Sequence, residues 1–146
     1  MKIVAYLTFN GTCREAMIFY QECLGGILRF QTVGESPMAD RLPPELHDCI
    51  VTASLTGNDL VLVGSDMVSE DGLVRGNAVS LLLSCNSAEE THSCYDRLSR
   101  DGTREQALEE TFWGTLFGGV RDKYGNSWLV HYEDPAQNRQ EAGKNY

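Results

Sequence analysis

At 146 residues the chain is long enough to bury a core without metal or disulfide staples, and 42% hydrophobic content with only four scattered prolines argues against disorder. A formal net charge of -9 repels polyphosphates and anionic bilayers, and the twelve Lys and Arg residues form no cluster, so nucleic acid and membrane surfaces are poor partners. Five cysteines, odd in number and without C-x-x-C spacing, read as reduced and mostly buried, with no sequence cue for thiolate activation. No leader and no run near the roughly 18 apolar residues of a membrane span is visible, so the expected compartment is the cytoplasm.

In chain order, Lys2 to Phe9 has the β-branched and aromatic content of a strand and ends at Asn10-Gly11. Thr12-Cys-Arg-Glu15 has the form of a capping box, which predicts a helix start there. Ala16, Phe19, Tyr20, Cys23 and Leu24 recur at helical spacing, and Gly25-Gly26 supplies the left-handed residue that ends the helix. Gly26 to Val33 predicts a second strand, and 34–46, with Pro37, Pro43 and Pro44, an exposed loop. Asp48 to Leu55 alternates polar and apolar residues, Thr56-Gly-Asn-Asp59 is a hairpin turn signal, and Leu60 to Val63 is its returning partner.

The pattern then repeats. Asn77 to Ser84 predicts a strand and Ser87-Ala-Glu-Glu90 a second capping box. Ala88, Thr91, Cys94, Tyr95 and Leu98 make a second stripe before Gly102. Three further strands follow over Thr103 to Glu110, Thr111 to Asp122 and Ser127 to Tyr132. Thr12 and Ser87, Glu15 and Glu90, and Tyr20 and Tyr95 are all related by one shift of about half the chain. The fold class is therefore α+β, with two tandem β-α-β-β-β modules, about 1–64 and 77–132, in one domain over 1–133. A polar tail covers 134–146. The modules are expected to form a curved, mostly antiparallel sheet with helices on the convex face, leaving a concave face for a small molecule.

Tyr6 to Ala16, Phe19-Tyr20 and Leu24-Gly-Gly26, together with Thr111 to Gly118, Asp122-Lys-Tyr-Gly125 and Trp128, resemble the PhnB-like branch of the glyoxalase, bleomycin-resistance and dioxygenase superfamily, the vicinal oxygen chelate fold. Metal-dependent members of that superfamily place His or Glu ligands on the first and last strand of each module. The resemblance puts those positions at Ala5, Val61 or Leu62, Val79 or Ser80, and Leu129, so neither a metal nor a cofactor is expected. A methyltransferase description attached to this family calls for a Gly-rich loop between strand and helix, whereas Leu24-Gly25-Gly26 follows a helix.

Alternation from these anchors places Ala5, Leu7, Thr52, Ser54, Ser80, Leu129 and His131 on the concave face. Thr52, Ser54, Ser80 and His131 are the candidate ligand-binding residues, with Trp113 as an aromatic at the pocket rim. His131 is the candidate general base, set against the plainer reading of a strand-end His near solvent. His47 and His92 are read as surface residues, Trp128 as core and Asp122 as a turn residue.

The leading expectation is a small-molecule-binding protein of the glyoxalase/bleomycin-resistance type, without the usual metal ligands, that holds a cationic or amphipathic organic molecule. The competing readings are an enzyme (lyase, isomerase or dioxygenase-like) using His131, and an interaction domain with a vestigial pocket. Open module edges lead to the expectation of a homodimer.

Overall fold

The structure, a computed structural model, describes residues 1–111 and 114–135. It falls into two compact units, Met1–Val74 and the residues from Arg75 on. In the first, β1 (Ala5–Thr8) leads to α1 (Cys13–Leu24), β2 (Ile27–Thr32), β3 (Ile50–Thr56) and β4 (Val61–Ser65). The second repeats the order with β5 (Leu81–Ser84), α2 (Ala88–Leu98), β6 (Thr103–Glu110), β7 (Thr115–Arg121) and β8 (Ser127–Glu133). Each unit has one four-stranded mixed sheet, ordered β1-β4-β3-β2 and β5-β8-β7-β6. In each, the first and last strands pair in parallel and the other pairs are antiparallel.

Both helices form where their apolar stripes predict, and bury most of each stripe. On α1, Cys13, Ala16, Met17, Phe19, Tyr20 and Cys23 are buried. On α2 the buried face is Thr91, Cys94, Tyr95 and Leu98, while Ala88 is exposed. Gly25 ends α1 at φ 77°, donating its N–H to Gln21 O. Gly26 follows at φ 101°, where a Cβ would lie 2.8 Å from Thr56 O, so the chain can enter β2 beside β3 only without a side chain there.

The helix starts differ. Ser87 caps α2 as expected: its Oγ accepts from Glu90 N at 3.0 Å, and Glu90 Oε2 accepts from Asn86 N at 2.9 Å. Thr12, in contrast, makes no side-chain cap hydrogen bond. Its role passes to Asp66, just beyond β4, whose Oδ1 accepts from Gly11 N and Cys13 N at 3.0 Å each. Asp66 Oδ2 also accepts from Ile50 N at 3.0 Å, so one carboxylate ties the helix start to β3.

Several boundaries move. The segment expected as one exposed loop contains two 3₁₀ turns, Ala39–Arg41 and Pro44–Leu46. His47 is half-buried rather than a surface residue, because its Nε2 lies 2.9 Å from Ala39 O and 3.1 Å from Leu42 O and ties these turns together. In β3 the alternation breaks at a bulge: Gln31 pairs with Thr52 and Thr32 with Ile50, so Val51 is the extra residue and Ile50 is buried with Ala53 and Leu55.

Candidate functional site

Partners across a ladder point to the same side of a sheet, so the registers assign each strand residue to a face. In the first unit a Cβ on Gly64 would lie 3.0 Å from Cys13 Sγ and Met17 Sδ, which marks the side covered by α1. Gly64 pairs with Leu7 and Ala53, and Leu62 with Ala5 and Leu55, so Ala5 and Leu7 share the helix-covered face. That corrects the expectation that they line the open face with Thr52 and Ser54. A four-residue apolar strand has no strong polar alternation of its own, and the register with β4 decides which way it faces.

The helix-free face of this sheet carries a row across all four strands, Tyr6, Val63, Ser54 and Arg29, each paired with the next. Thr52 lies on the same side, paired with Gln31 and exposed. The arrangement is amphipathic: a phenol ring and an aliphatic side chain next to hydroxyls and a guanidinium.

In the second unit Trp128 and Val130 are buried on the side covered by α2, and their partners Leu81 and Leu83 are half-buried. The opposite side carries two rows, Leu82–Leu129–Gly119–Gln106 and Ser84–His131–Phe117–Glu109. His131 and Phe117 meet edge to face with ring centroids 6.5 Å apart. Glu109 is separated from His131 by the Phe117 strand, so the carboxylate in this row is not beside the imidazole. Gly119 makes a dip in the row, since a Cβ there would come within 3.1 Å of Leu129 Cδ2.

Thr52 and Ser54 thus stand together on the helix-free face of one sheet, and His131 on that of the other. Ser80 precedes β5 by one residue and is exposed, so it is not a strand residue as expected. Trp113 lies outside the described residues. His92 is exposed. Two depressions, about 400 Å³ beside Arg14, Glu15, Asp48 and Asp66 and about 390 Å³ beside His92, Glu110, Tyr132 and Asp134, are lined by none of Thr52, Ser54, Ser80 and His131. Among the described residues, no group of three or more His, Cys, Asp or Glu side chains could hold a metal ion. No described helix is long and apolar enough to cross a membrane.

Trp128 is core as expected, and Asp122 is more than a turn residue. It is buried, and its carboxylate accepts from Tyr124 N at 2.8 Å, Asn126 N at 3.1 Å and Trp128 Nε1 at 2.7 Å, joining the turn before β8 to the core.

Two β-α-β-β-β units, each with one helix-covered and one helix-free sheet face, define a protein of the glyoxalase/bleomycin-resistance/dioxygenase fold. A crystal structure of a protein of that family from Burkholderia phytofirmans PsJN shows the same fold at a TM-score of 0.58 and 14% identity, over 88% of this chain and 96% of that one. The chain belongs to the PhnB-like family, whose model, described as 3-demethylubiquinone-9 3-methyltransferase, matches residues 1–131. It is 30% identical to protein YjdN of Escherichia coli (strain K12), over 90% of this chain and 95% of that protein. Among solved structures it resembles protein PA1353 from Pseudomonas aeruginosa, with TM-score 0.79 and 33% identity over 91% of this chain and 98% of that one. It also resembles a putative 3-demethylubiquinone-9 3-methyltransferase, PhnB protein, from Bacillus cereus, with TM-score 0.70 and 26% identity over 91% and 100%.

Proposed function

We propose that this chain is a small-molecule-binding protein of the glyoxalase/bleomycin-resistance type that works without a catalytic metal. The observation that carries this reading is the pair of helix-free sheet faces, each with apolar side chains set beside hydroxyl, imidazole or guanidinium groups in cross-strand rows. With strands about 4.8 Å apart, a row of four spans roughly 14 Å, the scale of a drug-sized or metabolite-sized molecule. The ligand class that fits is an amphipathic organic molecule, and the net charge of -9 favours a cationic one.

The chemistry at the registers where metal-dependent superfamily members hold their ligands supports the metal-free part. Of the positions the resemblance assigns to metal ligands, Ala5 pairs with Leu62 and Leu129 pairs with Leu82, and these aliphatic side chains offer a divalent cation no ligand. Gly25 and Gly26 serve to close α1 and pass beside β3, so the one double glycine in the first module supports no nucleotide cradle.

A homodimer and a cytoplasmic location complete the proposal. The exposed apolar residues Ile3, Val79 and Leu82 lie at or near the edge strands β1 and β5, where a second copy would cover them. The test is thermal-shift screening of the purified chain against metabolites and antibiotics, together with elemental analysis and light scattering. Stabilisation by one amphipathic compound class, no stoichiometric metal and a dimer mass are expected. A full metal per chain would overturn the metal-free reading, and a mass of 16.2 kDa the dimer.

A further inference from the structure

The helix-free face of the first unit belongs to an acidic chain, yet none of its strand residues is acidic. Its one charged strand residue is Arg29, exposed on the edge strand β2. The residues around Arg29 on that face, across the ladder and along its own strand, are Ser54, Thr52, Thr56, Ile27 and Gln31. Two other arginines are held by carboxylates, Arg104 at 3.1 Å from Asp96 and Arg121 at 2.9 Å from Glu105. Among the described residues Arg29 has no such partner, and the side chains of Ser54, Gln31 and Tyr6 make no hydrogen bond either.

We propose that this face selects an amphipathic organic anion, a monocarboxylate, whose carboxylate docks on Arg29; the inference rests on the reading of the helix-free faces as ligand faces. A guanidinium presents a planar fork of N–H donors that matches a carboxylate through two parallel hydrogen bonds. Ser54, directly across from Arg29, and Gln31, two residues along, add a hydroxyl and an amide donor beside that fork. From Arg29 to Val63 the row crosses two strand spacings, roughly 10 Å. An aliphatic or aromatic body attached to the carboxylate therefore lies over Ser54 and Val63 toward Tyr6, the next residue in the row.

Charge separates the two units. On the helix-free face of the second, Glu109 pairs with Phe117 and Glu133 with Thr115, and Arg121 is already joined to Glu105. The preference for a cation that follows from the net charge of -9 suits this second face, while the first takes an anion against the sign of the whole chain. An exposed ion pair is screened by salt, so the selectivity of the first face should weaken as ionic strength rises.

The experiment titrates the full chain with three probes that share one biphenyl body: the carboxylate, its neutral amide and the corresponding benzylic amine. Amide NMR shifts give both the affinity and the place of binding. The carboxylate should bind about fivefold tighter than the amide, the upper end for an exposed ion pair, with its shifts centred on β3 and β4 around Ser54 and Val63. Arg29→Gln should bring the carboxylate down to the affinity of the amide and leave the amide unchanged, and Arg29→Lys should restore part of the difference. Arg29 is exposed, so an unchanged melting temperature is the check that these variants fold. Equal affinity for the three probes, tighter binding of the amine at these strands, or a carboxylate affinity that survives Arg29→Gln would overturn the anion selectivity and leave the ligand-face reading standing. If none of the three shifts an amide on either helix-free face, that reading falls and the proposal with it.

Discussion

The indole Nε1 of Trp128 donates to Asp122 Oδ2 at 2.7 Å, with both residues buried, so the carboxylate that turns the chain into β8 also orients the largest side chain of the second core. Asp122→Ala removes the acceptor of this bond and of the Tyr124 and Asn126 amides. A buried donor that loses its acceptor costs about 1–3 kcal/mol, so the substitution should destabilise the protein by about 3 kcal/mol. Urea unfolding measures the loss, and a red shift of native tryptophan emission should accompany it. A loss below about 0.5 kcal/mol would reject the role.

The same argument separates the two residues at the start of α1. Asp66→Ala leaves the amides of Gly11, Cys13 and Ile50 without their carboxylate and should cost about 2 kcal/mol or more. Thr12→Ala should stay within about 0.5 kcal/mol, because Thr12 makes no side-chain cap bond. In α2, Ser87→Ala should cost about 1 kcal/mol. The reverse order of Asp66 and Thr12 in denaturant melts would restore the capping box expected at Thr12.

Cys13 predicts an alkaline limit to stability. Burial first, then the Asp66 charge, raise its thiol to about 12 from an ordinary value of 9.0, against a smaller lowering by Arg14. Below pH 9 the thiol is protonated in both folded and unfolded chains, and its contribution is fully present. Between pH 9 and 12 the unfolded chain releases the proton while the folded chain keeps it, so stability falls as pH rises. The slope of unfolding free energy against pH in this window should be shallower in Cys13→Ala than in the parent. Equal slopes would remove Cys13 as the cause.

Thr52→Trp tests the ligand face. Thr52 is exposed on the helix-free side of β3, so a large side chain there should change the melting temperature little, within about 0.5 kcal/mol of stability. Binding of a compound found by screening should be lost. Retained affinity would place the ligand elsewhere.

Gly26→Ala should cost more than about 1 kcal/mol, since the alanine would have to adopt φ 101° with its Cβ 2.8 Å from the Thr56 carbonyl. Gly11→Ala provides the contrast: it shares a positive φ of 92° but meets nothing within 4 Å. The difference between the two, read from urea midpoints, isolates the close approach of the chain to β3.

What the sequence alone determined was the part governed by near neighbours. The stripes Ala16–Phe19–Tyr20–Cys23 and Thr91–Cys94–Tyr95–Leu98 are spaced to bury one side of a helix, and Gly25 and Ser87 mark a stop and a start, so helices and the repeated module were legible. Tertiary structure decided what depends on register and on contacts far apart in the chain. Ala5 and Leu7 turned to the covered face because β1 pairs with β4, and the Val51 bulge moved Ile50 into the core, two outcomes that four-residue or interrupted alternation cannot encode. Asp66 took over the cap from more than fifty residues away. A side chain's own spacing specifies which face it shares with its neighbours, but only the pairing of strands specifies what lies opposite that face.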